Sequence, residues 1–483
     1  MSRFSVGLSG GILTSTAGVF GSAFLWLLGF KVVALWMGPE GVGLFSQLRQ
    51  MAQAATVGAT FGGTNSVVQG LSERNEEMAR RRLRATASRL VGLAGLLVVL
   101  FILIAAPPLT RFFLSSGAPE LIATVRWLAF AILLNVVGTY TLAVLNGYRA
   151  YPYLALAQIA GPLSLVGLLV VAWWWRLPAA PLLLASSFVA CFGVTCIVGL
   201  FGLSRLPRPE VAAQSLRLGA AESRIFLQFA LSNLAAALST TLTLLLIRSW
   251  IIDAQGLAFA GLFDAGWTLT FNYTTLFLTA CSAIYLPMLT RATTDESRKA
   301  CILGTAYLVL AGGVLVCYSI VLLKTPIIDL LYSPAFRPSE QVVTVLVVAI
   351  LFRSISWVYG TMILAARKSR TLLLSEMALN LSLLVAVKFV LVTYASLHAL
   401  AWAFVLPNLL YLAFVVEYVG RENNLMLRRH IWPLLLGAVV PLFVLALVAP
   451  ASVSDWTAGH WLCLLAGPVI AVASLLSYKK LSP

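Results

Sequence analysis

The amino-acid sequence predicts an all-α polytopic membrane protein of about fourteen transmembrane helices, arranged as two six-helix lobes plus two C-terminal helices. Three observations lead to this prediction: long apolar runs, a bias of basic residues toward alternate loops, and a weak internal repeat. The 483 residues are 60% hydrophobic and only 10% charged, whereas soluble domains carry about 25% charged residues. A water-soluble chain of this length would lack the polar surface to cover itself.

The apolar runs predict helices rather than the strands of a barrel. Most approach or exceed the roughly 20 residues that a helix needs to cross about 30 Å of hydrocarbon, and they show no alternation with period two. The predicted spans are 10–36, 44–70, 87–106, 121–145, 153–175, 180–203, 225–250, 258–288, 301–323, 341–365, 372–394, 398–419, 432–450 and 460–478. The stretch from Lys324 to Glu340 mixes charges, apolar residues and two prolines, which predicts a segment lying on the outer membrane surface.

The distribution of basic residues predicts the orientation of the chain. A formal net charge of +16 would point to a nucleic-acid partner in a soluble protein, but here the basic residues occupy short loops between spans. Of the 33 lysines and arginines, 23 fall in loops that share one side of the predicted topology and 6 lie on the other. The positive-inside rule therefore places both termini in the cytoplasm, and no nucleic-acid partner is expected.

The predicted lobes are divided by a basic, proline-containing segment and related by a weak repeat. Residues 1–203 form the first lobe, 204–224 a cytoplasmic linker, 225–420 the second lobe, and 421–483 the two additional helices. The run Gly43-Leu44-Phe45 recurs as Gly261-Leu262-Phe263, and each copy precedes a long span with a polar stripe. Because six spans separate the copies, both face the same way, which is the parallel repeat found in some transporters.

Two spans at equivalent positions of the repeat carry polar stripes. The second span has Ser46, Arg49, Gln53, Thr56, Thr60 and Thr64, and the eighth has Asp264, Thr268, Asn272, Thr275, Thr279 and Ser282. On each helix the six positions fall within an arc of about 80°. Packing between membrane helices would explain the serines and threonines, but not the charged and amide side chains. The stripes therefore predict a water-accessible cavity.

Charged residues inside spans complete the candidate site. A central Arg or Lys costs roughly 2.5–3.5 kcal/mol on insertion scales, so such a residue is expected to face a partner or the cavity. The candidate cavity residues are Lys31, Arg49, Gln53, Arg248, Asp264, Asn272 and Arg353. For Lys31 and Arg248, snorkelling to the outer interface is an equal alternative. Asp264 is the candidate for ion coupling. For Glu376, a structural bond to Asn380 one turn along its helix and a functional role are equal alternatives.

The motifs of several enzyme classes are missing from the sequence. It contains neither GxxxxGK[ST] nor HExxH, its predicted outer loops are short, and its three histidines and six cysteines form no metal-binding spacing. The sequence therefore predicts a protein that is not an enzyme and that has no cofactor or metal site. Coupling to a proton gradient or another ion gradient would supply the driving force.

Several runs of the sequence resemble one family. The run Trp36-Met37-Gly38-Pro39-Glu40-Gly41-Val42-Gly43-Leu44, followed by Gln47-Leu48-Arg49-Gln50, resembles the first loop and second span of Wzx-type bacterial polysaccharide flippases, the O-antigen and enterobacterial-common-antigen translocases. Tyr285 to Arg291 is similar to their eighth-span ending. Leu331 to Phe336, the basic loop from Ala365 to Arg370 and the Ser375-Glu376 pair resemble their second-half layout.

This resemblance implies the fold of the multidrug/oligosaccharidyl-lipid/polysaccharide (MOP) exporters, working by alternating access in the bacterial inner membrane. It implies an oligosaccharide linked through pyrophosphate to a polyprenyl lipid as substrate, for surface polysaccharide such as lipopolysaccharide. Membrane lipid is an expected partner, together with polysaccharide polymerase or assembly proteins. Basic cavity residues of the family match Lys31, Arg49 and Arg248. Wzx proteins commonly have twelve spans, however, whereas lipid II flippases of the same superfamily have fourteen.

Other functions compete with this interpretation. Within the superfamily, a lipid II flippase fits the span count, and a cation-coupled drug exporter would want an acidic cavity, whereas the buried balance here is basic. A membrane glycosyltransferase or polymerase needs a catalytic carboxylate in a sizeable outer loop, but Glu40, Glu120 and Asp253 lie on short loops. A non-transporting scaffold would not need the polar stripes.

Overall fold

The structure, a computed structural model, describes residues 8–62, 65–72, 76–206, 220–292, 294–366, 368–394, 396–422, 427–448 and 457–479. Within these ranges the chain is helical and contains no strand. The helices are α1 (Leu8–Ala59), α2 (Asn65–Ser72), α3 (Glu77–Leu114), α4 (Pro119–Gly147), α5 (Tyr151–Trp174), α6 (Pro181–Ser204), α7 (Ala220–Trp267), α8 (Tyr273–Arg291), α9 (Asp295–Leu331), α10 (Ser339–Ala365), α11 (Ser369–Thr393), α12 (Leu397–Trp402), α13 (Val405–Glu422), α14 (Leu427–Val448) and α15 (Ala458–Lys479). A short π-helix (Thr268–Asn272) joins α7 to α8, and a 3₁₀ turn (Pro334–Phe336) precedes α10.

Helix α1 folds back on itself at Gly38. In a straight helix Trp26 and Arg49 would be about 34 Å apart, but the Arg49 guanidinium carbon lies 4.9 Å from the Trp26 ring centroid. The backbone at Gly38 has φ 64° and ψ −160°, a region open essentially to glycine alone, and Pro39 suits the first turn of the second arm because proline has no amide hydrogen. The two arms of α1 are therefore antiparallel neighbours.

The same backbone break recurs in α7. Gly256 has φ 85° and ψ 173°. The offset along the chain from Gly38 to Gly256 equals the offset between the two Gly-Leu-Phe motifs. The break in the second copy therefore supports the repeat that the sequence predicts.

The number of membrane-crossing segments agrees with the sequence. Eleven helices of the described chain are long and apolar enough to span a bilayer, and Ile431–Leu447 in α14 is a shorter apolar helix. Two of the eleven, α1 and α7, contain the glycine breaks and so provide two segments each. Counting these arms separately and adding α14 gives the predicted fourteen.

The outward surface of α3 shows why the chain belongs in a membrane. Its buried face runs through Leu83, Ala87 and Val91, with the regular spacing of one helical stripe. The opposite face is also apolar, and Ile104 is 80% exposed. A soluble helix would carry polar residues there, so this face is built to contact hydrocarbon.

The chain divides into two compact units, residues 1–258 and 259–483. The first arm of α7 belongs to the first unit, because the Ser249 hydroxyl donates to the Phe112 carbonyl at 2.6 Å and the Ser115 hydroxyl donates to Asp253 at 3.0 Å. Most of the predicted linker, residues 207–219, lies outside the described residues. The predicted lobe boundaries remain a prediction.

The stretch from Lys324 to Glu340 is partly buried and partly exposed, and its position on the outer membrane surface stays a prediction. Helix α9 continues to Leu331, and Tyr332 and Phe336 are buried. Lys324 and Glu340 are 1% and 3% exposed. Leu330, by contrast, is 70% exposed, while each of the two charges is buried beside the other.

Candidate functional site

Arg49 lies on the second arm of α1 and is held by aromatic rings of the first arm. Its guanidinium carbon is 4.9 Å from the Trp26 ring centroid and 5.4 Å from that of Phe30. Trp26 and Phe30 are four positions apart, so they share one face of their arm. A cation over an aromatic ring is attracted by the ring quadrupole. The side chain of Arg49 is only half-buried, so the rings fix its position without covering it.

A stack of aromatic rings supports this arrangement. Phe45, one turn before Arg49, meets Phe30 edge-on at 5.1 Å and stacks on Phe188 of α6 at 4.8 Å. Phe45 and Phe188 are both fully buried. The Gly-Leu-Phe motif of the sequence thus supplies the ring that locks the two arms of α1 against α6.

Gln50 ties Arg248 to the same turn of α1. The Arg248 guanidinium donates to the Gln50 side-chain oxygen at 2.8 Å, and the Gln50 amide donates to the Thr241 carbonyl at 3.0 Å. Arg248 and Gln50 are 9% and 7% exposed. The Gln50 side chain therefore hydrogen-bonds both a buried cation and a carbonyl of α7. These bonds bring Arg248 to the helical turn that carries Arg49. Because Arg248 is buried, this geometry disfavours snorkelling to the membrane surface.

The stripe of the second span is divided between open and buried positions. Gln53 is exposed, whereas Ser46, Thr56 and Thr60 are buried. Thr56 accepts a hydrogen bond from the Asn135 amide at 2.9 Å, so part of the stripe packs helices, as the packing alternative expects. Thr64 lies outside the described residues. Lys31, on the first arm, is half-buried.

In the second unit, Asp264 and Asn272 lie on either side of a change in helix type. Asp264 is 2% exposed near the end of α7, and Asn272 is exposed at the end of the π-helix. The Asn272 amide donates to the Thr268 hydroxyl at 3.5 Å. π-Helical turns are rare and are found frequently at functional sites. The stripe of the eighth span thus also runs from buried to open positions.

Arg353 is engaged in a part-buried ion pair within the second unit. One of its guanidinium nitrogens donates to both oxygens of Glu376, at 2.9 and 3.2 Å. The Tyr411 hydroxyl donates to the same carboxylate at 2.7 Å, and its ring lies 5.1 Å below the guanidinium. These partners hold Glu376, whereas the structural alternative from the sequence was Asn380.

Sequence reasoning named charged candidates for the site but missed the partners that the structure gives them. Arg49 and Arg248 are brought to one turn of α1, while Asp264, Asn272 and Arg353 lie in the other unit. Gln50 was missed, although an amide side chain directly after Arg49 inside a predicted span was a usable signal. Trp26 and Phe30 were also missed, although they are four positions apart and so lie on one helical face. Nothing local in the sequence points to Tyr411.

The first half of the chain carries a family signature. A family model described as "Polysaccharide biosynthesis protein" matches residues 8–293, which is more than half of the sequence. The chain belongs to the polysaccharide biosynthesis protein family. The match covers both glycine breaks, Arg49 and Arg248.

Among curated relatives, this member of the polysaccharide biosynthesis protein family is similar to the "Lipid III flippase" of Escherichia coli (strain K12). The two are 24% identical over 383 residues, which is 77% of this chain and 89% of the relative. The "Lipid III flippase" of Shigella flexneri matches equally well.

Two solved structures show the fold. The inward closed conformation of the lipid II flippase MurJ has a TM-score of 0.69 at 13% identity and covers 97% of this chain and 99% of its own. An inward-facing multidrug resistance MATE family transporter of the MOP superfamily has a TM-score of 0.67 at 15% identity and covers 86% and 96%. This family member therefore has the fold of MOP transporters, as the sequence predicted. These similar proteins are flippases and transporters rather than enzymes, also as predicted.

The two structural matches differ in how much of the C-terminus they include. An alignment over 97% of the chain must include most of residues 421–483, whereas one over 86% leaves out a length comparable to the two additional helices. The fourteen-helix layout of this family member therefore has a counterpart in a solved structure.

Proposed function

We propose that this protein translocates polyprenyl-pyrophosphate-linked oligosaccharide repeat units across the bacterial inner membrane by alternating access, for the biosynthesis of surface polysaccharide. The observation that supports this most directly is Arg49, a cation fixed by two aromatic rings inside a membrane hairpin yet left half-exposed. The family to which the chain belongs and the names of its relatives agree with the proposal.

The chemistry of such a substrate matches the residues of the first unit. A pyrophosphate carries negative charge into the bilayer plane and needs cations there, and a planar guanidinium is suited to bidentate contacts with phosphate oxygens. Arg49 offers this group, Arg248 lies at the same turn of α1, and Lys31 is half-buried on the other arm. The exposed amide of Gln53, one turn beyond Arg49, suits the hydroxyl groups of a glycan. Asp264, Asn272 and Arg353 as further cavity residues stay a prediction.

The predicted topology belongs to the same proposal. The 23-to-6 distribution of basic residues places both termini in the cytoplasm. The substrate would then be loaded on the cytoplasmic side, where activated sugars are made, and released on the outer side for polymerase or assembly proteins. No nucleotide-binding motif stands in the sequence, so an ion gradient or the substrate gradient would drive the cycle.

A lipid II flippase is the second candidate, because the MurJ match covers 97% of this chain, whereas the MATE match covers 86%. Both candidates share a polyprenyl pyrophosphate and differ in the attached sugars. A drug exporter is disfavoured by the cationic side chains of the first unit, since cationic drugs would be repelled by Arg49 and Arg248.

The test is transport by purified protein in liposomes. Three fluorescent substrates are compared: a polyprenyl-pyrophosphate oligosaccharide, lipid II and a cationic dye. The proposal predicts transport of the first, and faster transport of lipid II would favour the second candidate. Transport of the dye alone would overturn the proposal.

The contribution of Arg49 is tested in the same assay. Arg49→Ala is expected to abolish transport while the protein still inserts and purifies as a folded species. Arg49→Lys is expected to keep part of the activity if a point charge suffices, and little if a bidentate contact is required. The matched control is Arg126→Ala, which removes an exposed arginine near the start of α4 and is expected to transport normally. Wild-type transport by a folded Arg49→Ala variant would remove Arg49 from the site.

A further inference from the structure

The second unit contains a buried acid-base pair that the substrate site does not use. Lys324 of α9 and Glu340 in the first turn of α10 have side chains only 1% and 4% exposed, and the Lys324 ammonium nitrogen lies 4.0 Å from a Glu340 oxygen. Charges buried this deeply in a membrane protein are costly and usually functional. The pair lies in the stretch between two predicted spans that the sequence places on the outer side of the membrane.

The pair is poorly satisfied by hydrogen bonds. At 4.0 Å the two groups attract each other without a direct hydrogen bond. The Lys324 ammonium has three N–H donors and donates to the Thr344 hydroxyl at 3.1 Å. Among the described protein atoms, the Glu340 oxygen facing Lys324 accepts no hydrogen bond, and the neighbouring Ser339 hydroxyl makes none.

The Arg353–Glu376 pair in the same unit provides the contrast. There the carboxylate accepts from one guanidinium nitrogen at 2.9 and 3.2 Å and from Tyr411 at 2.7 Å, and an arginine does not lose its proton in proteins. That geometry gives Glu376 direct hydrogen bonds to both of its partners. At the other pair both partners can change protonation, and few hydrogen bonds hold the charged form. A buried ion pair repays its desolvation only when its geometry is excellent, and at 4.0 Å this pair lacks a direct hydrogen bond between its two charges.

Few charged groups of the described residues lie near the pair. Among the described residues, Lys324, Arg337 and Asp329 are the charged groups near enough to act on the Glu340 carboxyl, and Glu340 is the one that acts on Lys324. Arg337 and Asp329 form an ion pair of 2.9 Å whose side chains are 58% and 31% exposed. Arg337 is largely exposed, so the charged groups that act on the buried carboxyl extend to the protein surface.

We propose that Lys324 and Glu340 form the proton-exchange site that couples transport to the proton gradient, an inference that rests on the proposed transport function. In each cycle the Glu340 carboxylate accepts one proton from water on the outer side, which forms an O–H bond and leaves Lys324 as an ammonium beside a neutral acid. When the cycle exposes the site to the cytoplasmic side, the same proton leaves and the ion pair forms again. One proton enters and one leaves for each substrate moved.

The experiment uses the full-length protein in liposomes that contain a pH-sensitive dye. Transport of the polyprenyl-pyrophosphate oligosaccharide is measured with and without a pH gradient, and substrate-dependent proton movement is read from the dye. For the wild type we expect a several-fold stimulation by the gradient. Glu340→Gln is expected to transport without a gradient but to lose the stimulation and nearly all of the proton movement.

Matched variants separate coupling from structural support. Glu417→Gln removes a carboxylate from the exposed Arg421–Glu417 pair and is expected to remain coupled. Glu340→Asp keeps the carboxyl group and is expected to retain proton movement with a shifted pH midpoint, which a merely structural role would not produce. Lys324→Met combined with Glu340→Gln removes both charges, and we expect a folded but uncoupled protein.

The outcomes distinguish the inference from the function on which it rests. No transport by the wild type, with or without a gradient, would overturn the proposed function, and the inference with it. Normal transport with undiminished stimulation in Glu340→Gln would overturn the inference alone. Loss of stimulation in Asp264→Asn, with Glu340→Gln unaffected, would also overturn it and would assign coupling to Asp264. Stimulation of the wild type by a sodium gradient and not by a pH gradient would overturn it as well.

Discussion

The guanidinium of Arg49 lies over the ring of Trp26 at 4.9 Å, although the two residues stand on different arms of α1. The contact exists because α1 reverses at Gly38, which places the two arms side by side. The cation that the sequence singles out is therefore positioned by the turn, and the aromatic face restricts it to one orientation. An arginine on a single straight span would be free to reach toward either membrane surface.

Replacing Trp26 is expected to weaken substrate binding without removing the charge. A cation–π contact contributes about 0.5–2 kcal/mol, so Trp26→Leu is expected to raise the apparent dissociation constant about 2- to 30-fold. Trp26→Phe is expected to have a smaller effect, since a ring remains below the guanidinium. Titration of a fluorescent pyrophosphate lipid into purified protein measures the change. Trp175→Leu, at a tryptophan that is 71% exposed, is the control, and an equal effect there would contradict the assignment.

Gly38 and Gly256 are expected to resist substitution for the same physical reason. Their backbones, at φ 64°, ψ −160° and φ 85°, ψ 173°, lie where residues with a Cβ are strained by about 1–3 kcal/mol. An added Cβ meets no atom within 4 Å at either position. Each Gly→Ala variant should therefore lose about that much free energy of unfolding through backbone strain alone, measured by denaturant titration in mixed micelles.

The control for this prediction is a glycine in ordinary helical conformation. An added Cβ at Gly92 in α3 also meets nothing within 4 Å, but alanine favours a helix over glycine by up to about 1 kcal/mol. Gly92→Ala should thus be neutral or stabilising. If all three variants behaved alike, the two breaks would not be where the backbone requires glycine.

Features with a local signal could be predicted from the sequence. The apolar runs predict the spans, and the two Gly-Leu-Phe motifs predict a repeat, in which the structure adds the equivalent breaks at Gly38 and Gly256. Gln53 is exposed and Arg49 half-buried, while the cavity that the polar stripes predict stays a prediction. The partners of the charged residues could not be predicted, because Arg248–Gln50 and Arg353–Tyr411 are contacts between distant segments. Lys324 and Glu340 were placed at the surface because their mixed composition looks interfacial, and only packing shows that each is buried beside the other.

The Arg353–Glu376 pair is expected to stabilise the second unit. Breaking a buried ion pair by removing one partner costs about 3–5 kcal/mol. Because these side chains are 29% and 21% exposed, solvent screening should reduce the loss for Glu376→Gln to about 2–3 kcal/mol. Tyr411→Phe, which removes one hydrogen bond to a charged group, should cost about 1.5 kcal/mol.

Denaturant titration of the same purified proteins measures these losses. The double variant Arg353→Met with Glu376→Gln should be less destabilised than Glu376→Gln alone, since it leaves no uncompensated charge. Glu417→Gln in the exposed pair with Arg421 should change stability by no more than about 0.5 kcal/mol. The ion-pair account would be contradicted if the double variant lost more free energy of unfolding than the two single variants together.

The orientation of the chain is tested by reporter fusions at successive turns. Glu40 lies at the tip of the α1 hairpin, Arg82 near the start of α3, Pro119 at the start of α4 and Lys299 near the start of α9. Fusions at Arg82 and Lys299 should report the cytoplasm, and fusions at Glu40 and Pro119 the outside, because basic residues favour the cytoplasmic side. Fluorescent-protein and alkaline-phosphatase reporters give opposite signals at each position. One span separates Glu40 from Arg82, and one separates Arg82 from Pro119, so the three signals must alternate.

As a test of the cause, replacing Arg80, Arg81, Arg82 and Arg84 with glutamine should reduce the cytoplasmic signal at Lys299 or mix it with the outside signal. A cytoplasmic signal at Glu40 in the unaltered protein would reverse the proposed direction of transport.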